Sequence, residues 1–82
     1  MNQVHTKIIR KPAVTNKTGF SKSTLYNRIK DGTFPPPISL GARAVGFIAS
    51  EVDAIIQAWC EEQTPKQIKQ LVSELIKQRK AA

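Results

Sequence analysis

At 82 residues with a net charge of +7, this chain has the size of one small, basic domain. Its single cysteine excludes an internal disulfide, so the core must be built from aliphatic side chains in a reducing compartment. No apolar run reaches membrane-spanning length and residues 1–7 lack the apolar centre of a signal peptide, which reads as a soluble, cytoplasmic protein with no membrane partner.

Residues 1–7 show no periodicity and are expected to form a flexible tail. Ile8 and Ile9 read as an anchor for a first helix over residues 12–18, with Pro12 in its first turn, where a missing N–H costs nothing. That helix contains Thr15, Asn16 and Thr18 and is intrinsically weak, so packing through Val14 must hold it. Gly19 supplies a turn. Ser21 is placed to cap a second helix, Leu25 and Ile29 form its buried stripe, and Gly32 ends it.

Pro35, Pro36 and Pro37 then force an extended segment. Ile38-Ser39-Leu40 and Val45-Gly46-Phe47-Ile48 read as two short strands around Gly41-Ala42-Arg43-Ala44, a hairpin whose register the sequence leaves open. Ser50, with Asp53 three residues on, is close to a capping box for a third helix, along which Val52, Ile55, Ile56 and Trp59 recur at helical spacing. Cys60 at its end reads as a small, partly buried apolar residue. Thr64, Pro65 and Gln67 form a complete start signal for a fourth helix. Ile68, Leu71, Val72, Leu75 and Ile76 give it one continuous apolar stripe, expected to pack back on the third helix rather than to serve as a partner surface. The domain organisation is thus a tail over 1–7, a compact unit over 8–63 and an added amphipathic helix over 64–82.

The charge is unevenly distributed. Residues 1–48 hold eight cations (Lys7, Arg10, Lys11, Lys17, Lys22, Arg28, Lys30 and Arg43) against Asp31, whereas residues 49–82 are balanced. A basic half, rather than a basic whole, points to one phosphate-facing surface. Stepping 100° per residue from Leu25 and Ile29 places Ser23, Asn27 and Lys30 on the opposite side of the second helix, with Thr24, Tyr26 and Arg28 on its flanks. Hydroxyl, amide, phenol and cation on one face are the groups that bond base edges and phosphates: Asn27 suits adenine, and Arg28 suits guanine or a phosphate. Lys22 and Ser23 sit at the helix N-terminus, whose positive dipole end favours an anion. Arg43, between small neighbours on the hairpin tip, suits a narrow minor groove or a phosphate. The expected site is therefore Lys22, Ser23, Thr24, Tyr26, Asn27, Arg28, Lys30 and Arg43, and the expected partner is double-stranded DNA.

Gly19, Ser21, Ser23-Thr24-Leu25-Tyr26, Ile29, Gly32, Phe34-Pro35, Leu40-Gly41, Arg43-Ala44-Val45 and Ser50-Glu51-Val52 together resemble the AlpA family of small phage and prophage regulators. The resemblance covers about residues 8–60. It implies a mostly α fold with a small β-hairpin wing, that is, an α+β winged helix-turn-helix of excisionase/MerR-like type. In that family the DNA-reading helix corresponds to residues 22–30 and the wing to 41–45. The implied function is transcriptional regulation of integrase genes, or excisionase-like control of recombination direction, in a bacterial, nucleoid-associated setting. The family commonly has Trp where this chain has Phe47, and the helix over 65–79 is not explained by the resemblance.

Catalysis finds no support in these residues. His5 stands alone in the tail, no Gly-rich phosphate loop is present, and no His/Cys/Asp set has metal-ligand spacing, so no enzyme activity, cofactor, metal or small-molecule substrate is expected. The competing class is an interaction module that docks on an integrase, another regulator or a second copy of itself through the fourth helix.

Overall fold

The computed structural model describes residues 7–81, with side chains described as far as Arg79. The tail expected over 1–7, His5 included, lies outside the described residues except for Lys7. In chain order the elements are β1 (Ile8–Ile9), α1 (Lys11–Thr18), α2 (Lys22–Asp31), β2 (Ile38–Gly41), β3 (Ala44–Ile48), α3 (Ala49–Cys60) and α4 (Pro65–Ala81). The three strands make one antiparallel sheet in the order β1-β3-β2.

β1 is a strand not expected from the sequence. Ile8 and Ile9 do anchor the chain, but by pairing with Ile48 and Phe47 of β3. Two residues are too few to display strand alternation, so only the partner strand reveals them. The same pairing corrects the start of α3. The helix begins at Ala49 directly from β3, with Ile48 at the N-cap, so Ser50 lies inside the first turn rather than capping it. The Ala49 N–H instead donates to the Lys7 carbonyl at 2.8 Å, and a backbone group from the neighbouring strand does the work of a capping side chain.

The other helix boundaries follow local chemistry. Ser21 accepts from the Thr24 N–H at 3.1 Å, and Gly19 and Gly32 end α1 and α2 at φ 76° and 83°, where a Cβ would be strained. Thr64 and Gln67 exchange hydrogen bonds at 3.2 and 2.9 Å, the reciprocal cap expected from the sequence.

Every helix contributes to one core. Val14 enters from α1, Leu25 from α2, Val52, Ile55 and Ala58 from α3, and Ile68 and Val72 from α4, closing around Phe34 and Phe47. Ile29, Ile56, Trp59, Leu71, Leu75 and Ile76 pack at its margin. The apolar stripe of α4 thus packs on the core, with Ile68 and Val72 buried and Leu71, Leu75 and Ile76 half-buried. Cys60 differs from expectation: it is exposed, because α3 turns its last residue away from the core.

One charged side chain among the described residues is buried. Glu51 in the first turn of α3 is 5% exposed. Arg79 of α4 donates to it through Nε at 2.7 Å and through a terminal nitrogen at 2.6 Å. The same terminal nitrogen reaches the Pro36 carbonyl at 2.7 Å. The hydrogen bond to Glu51 raises Arg79 above its ordinary pKa; burial opposes the shift and the carboxylate's charge adds to it. A raised value on a cation means that Arg79's own contribution to stability is present below the ordinary arginine range and is lost as the pH rises through the raised value. Arg79 therefore stays charged throughout neutral conditions.

Candidate nucleic-acid interface

α2 is amphipathic in the manner its sequence requires. Leu25 is buried and Ile29 half-buried, while Lys22, Ser23, Tyr26, Asn27, Arg28 and Lys30 are exposed. Tyr26 is 68% exposed, an unusual position for an aromatic side chain with no packing partner on its outer side. Thr24 is half-buried, and its hydroxyl accepts from the Ser21 hydroxyl at 3.0 Å, so the cap engages it first.

Four of the expected residues come together on one surface. Lys22, Ser23, Tyr26 and Asn27 line a shallow, open depression of about 430 Å³, joined there by Lys11 from the first turn of α1. Towards the sheet, the ammonium-bearing side chains of Lys11 and Lys22 and the ring of Tyr26 border a second cavity of about 190 Å³. Its far wall is Pro37 and Val45 of the hairpin side, and Leu25, Ile29 and Phe47 also line it. The outer flank of α2 and the hairpin strand β3 therefore face one another across a groove. No residue lining either depression is acidic.

The ion pairs among the described residues are Lys17–Asp53 at 2.9 Å, Lys77–Glu74 at 4.0 Å and Arg79–Glu51. Neither Lys11 nor Lys22 belongs to one of these pairs. Lys11, which shares this surface, was not among the residues expected from the sequence. The signal was there: it precedes Pro12 at a helix start, in the half of the chain that carries the excess charge.

Arg28 is drawn away from this group. Its guanidinium carbon lies 5.7 Å from the Phe20 ring centre and 5.9 Å from that of Trp59, over a pair of rings that meet edge to face at 5.2 Å. It also borders a small recess with Thr33, Trp59, Gln63, Pro65 and Ile68. Arg28 thus links α2 to α3, a packing role that spacing along one helix cannot reveal.

Arg43 occupies the two-residue turn closed by Gly41 and Ala44, is exposed, and has φ 58°. An arginine gains nothing locally from the left-handed region, where glycine or asparagine is at ease. Its presence there is a cost of about 1 kcal/mol or more that the turn itself does not require. Lys30 is exposed in the last turn of α2.

Among the described residues, no group of three or more His, Cys, Asp or Glu could hold a metal, and no helix is long and apolar enough to cross a membrane. Among known proteins, the model of the family described as "Prophage CP4-57 regulatory protein (AlpA)" matches residues 7–64. The "DNA-binding transcriptional activator AlpA" of Escherichia coli (strain K12) is 35% identical over 66 residues, covering 73% of this chain and 94% of that protein. An "Uncharacterized protein ORF88" of Enterobacteria phage P4 is 44% identical over 48 residues, 58% of this chain. That match spans 54% of the phage protein's own length. No solved structure matches the chain significantly.

Proposed function

The chain belongs to the AlpA family of prophage regulatory proteins, and from that premise we propose that it binds double-stranded DNA in a sequence-specific way to regulate transcription. In this reading the fold is a winged helix-turn-helix. Helix α2 enters the major groove with Ser23, Asn27 and Tyr26 towards base edges. Lys11, Lys22 and Lys30 meet phosphates, and the β2–β3 hairpin acts as the wing with Arg43 at its tip. The observation that carries the reading is the acid-free surface on which Lys11, Lys22, Ser23, Tyr26 and Asn27 converge.

Catalysis has no part in it. Transcriptional control and control of recombination direction would use the same protein surface and differ only in where the DNA site lies. The relative described as a transcriptional activator favours the first. The competing reading, a module that docks on an integrase or a second copy through α4, is less well supported because the centre of the α4 stripe is buried, Ile68 at 1% and Val72 at 4% exposed, which leaves only half-buried Leu71, Leu75 and Ile76 to a partner.

Selection of preferred duplexes from a random pool, followed by titration at several salt concentrations, tests the proposal. Specific binding with a log–log salt slope of about −4 to −6 is expected for this number of cations. Weak binding that is indifferent to sequence would overturn it.

A further inference from the structure

The outer strand of the hairpin is poorly secured by its own side chains. β2 lies at the sheet edge, and Ser39, Leu40 and Gly41 are all exposed. The segment that feeds it, Pro35-Pro36-Pro37, has no backbone N–H with which to bond the rest of the fold. Pro35 is held by burial, but Pro36 and Pro37 are only half-buried. What such a segment can still offer is its carbonyls. The Pro36 carbonyl is taken by Arg79, the same side chain whose guanidinium is locked in direction by both oxygens of buried Glu51.

From this arrangement we infer that Arg79 is a positioning residue for the wing: Glu51 aims its guanidinium, and the guanidinium holds Pro36 and so fixes where β2 leaves the core. The chain of support runs from α3 through a side chain of α4 to the entry of the hairpin. A lysine or glutamine at 79 cannot reproduce it, because neither carries the planar fork that meets two carboxylate oxygens and keeps a further N–H for a carbonyl. Arg79 touches no surface assigned to DNA and lies beyond residue 64, where the family match ends. The inference rests on the reading of the hairpin as a DNA-gripping wing.

Two measurements test it. The first compares duplex affinities of the full chain, Arg43→Ala, Arg79→Gln and the double variant, on a duplex selected from a random pool, under conditions where circular dichroism finds each folded. Arg43→Ala is expected to weaken the otherwise native protein about tenfold, but the Arg79→Gln form less than about threefold, because the tip is no longer held in place. Equal factors in both backgrounds overturn the inference while leaving DNA binding intact. No loss from Arg43→Ala in the native background removes the wing contact itself, and the inference falls with it.

The second measurement needs no DNA. Amide hydrogen exchange in Arg79→Gln, or in Arg79→Lys should the first not fold, is expected to accelerate about tenfold in β2 and β3 against less than about threefold in α3. Uniform acceleration would mean that Arg79 only stabilises the whole domain, and would also overturn the inference.

Discussion

The guanidinium of Arg28 in α2 lies 5.9 Å from the ring centre of Trp59 in α3, so one residue of the exposed helix face is anchored to the core's margin. Because Trp59 is the chain's only tryptophan, its fluorescence reports on that contact directly. Arg28→Ala is expected to shift Trp59 emission and lower stability by about 1 kcal/mol, the worth of a partly solvated cation–π contact. Emission and unfolding midpoints identical to the native protein would show the contact to be idle.

Asn27 is the exposed amide of the surface shared with Lys22 and Tyr26. Asn27→Ala should cost about 1–3 kcal/mol on the preferred duplex and flatten discrimination at one base position, leaving binding elsewhere unchanged. Affinity that falls equally on every sequence would mark Asn27 as a backbone contact.

Arg43 offers an opposed pair of effects. Arg43→Gly relieves a residue at φ 58° and should raise stability by a few tenths to about 1 kcal/mol, although glycine's freedom in the unfolded chain offsets part of the gain. Duplex affinity should fall in the same variant. Thermal melting and titration on one preparation decide the matter: a less stable protein with native affinity contradicts both halves.

Gly46 sits where the outer side of the sheet is tightest. A Cβ added there would come within 2.5 Å of Ile8 Cγ2 and 2.9 Å of Leu40 Cδ1. Leu40 can swing aside, but Ile8 is β-branched and paired in β1, so Gly46→Ala should destabilise by about 1–3 kcal/mol. Adding Ile8→Ala should restore part of that loss in a denaturant series. Full additivity of the two substitutions would place the clash elsewhere.

The capped helices were readable because their signals are local. Ser21 and Gly32 bound α2, and Thr64 with Gln67 starts α4, within four residues of where each acts. Ser50 misled for the complementary reason: β3 runs directly into α3 at Ala49, whose N–H bonds the Lys7 carbonyl, and that continuity depends on a strand pairing far away in sequence. The face of α2 was legible from a 100° step, whereas Lys11, on another helix, joins it only in the folded chain. Arg28 and Arg79 were not legible in their structural roles, since their partners Trp59 and Glu51 lie on other helices and no helical period connects them.

Both α1 and α2 open with a lysine and have no acidic residue in the first turn. A carboxylate would suit those positive helix ends better, so the unbound protein tolerates an electrostatic mismatch at the start of each helix. Dissolved ions mute that discord, yet they also compete for the charges that a polyanion would seek. Moderate salt should therefore raise the melting temperature of the isolated molecule while loosening its hold on nucleic acid, two responses of opposite sign from the same pair of ammonium groups.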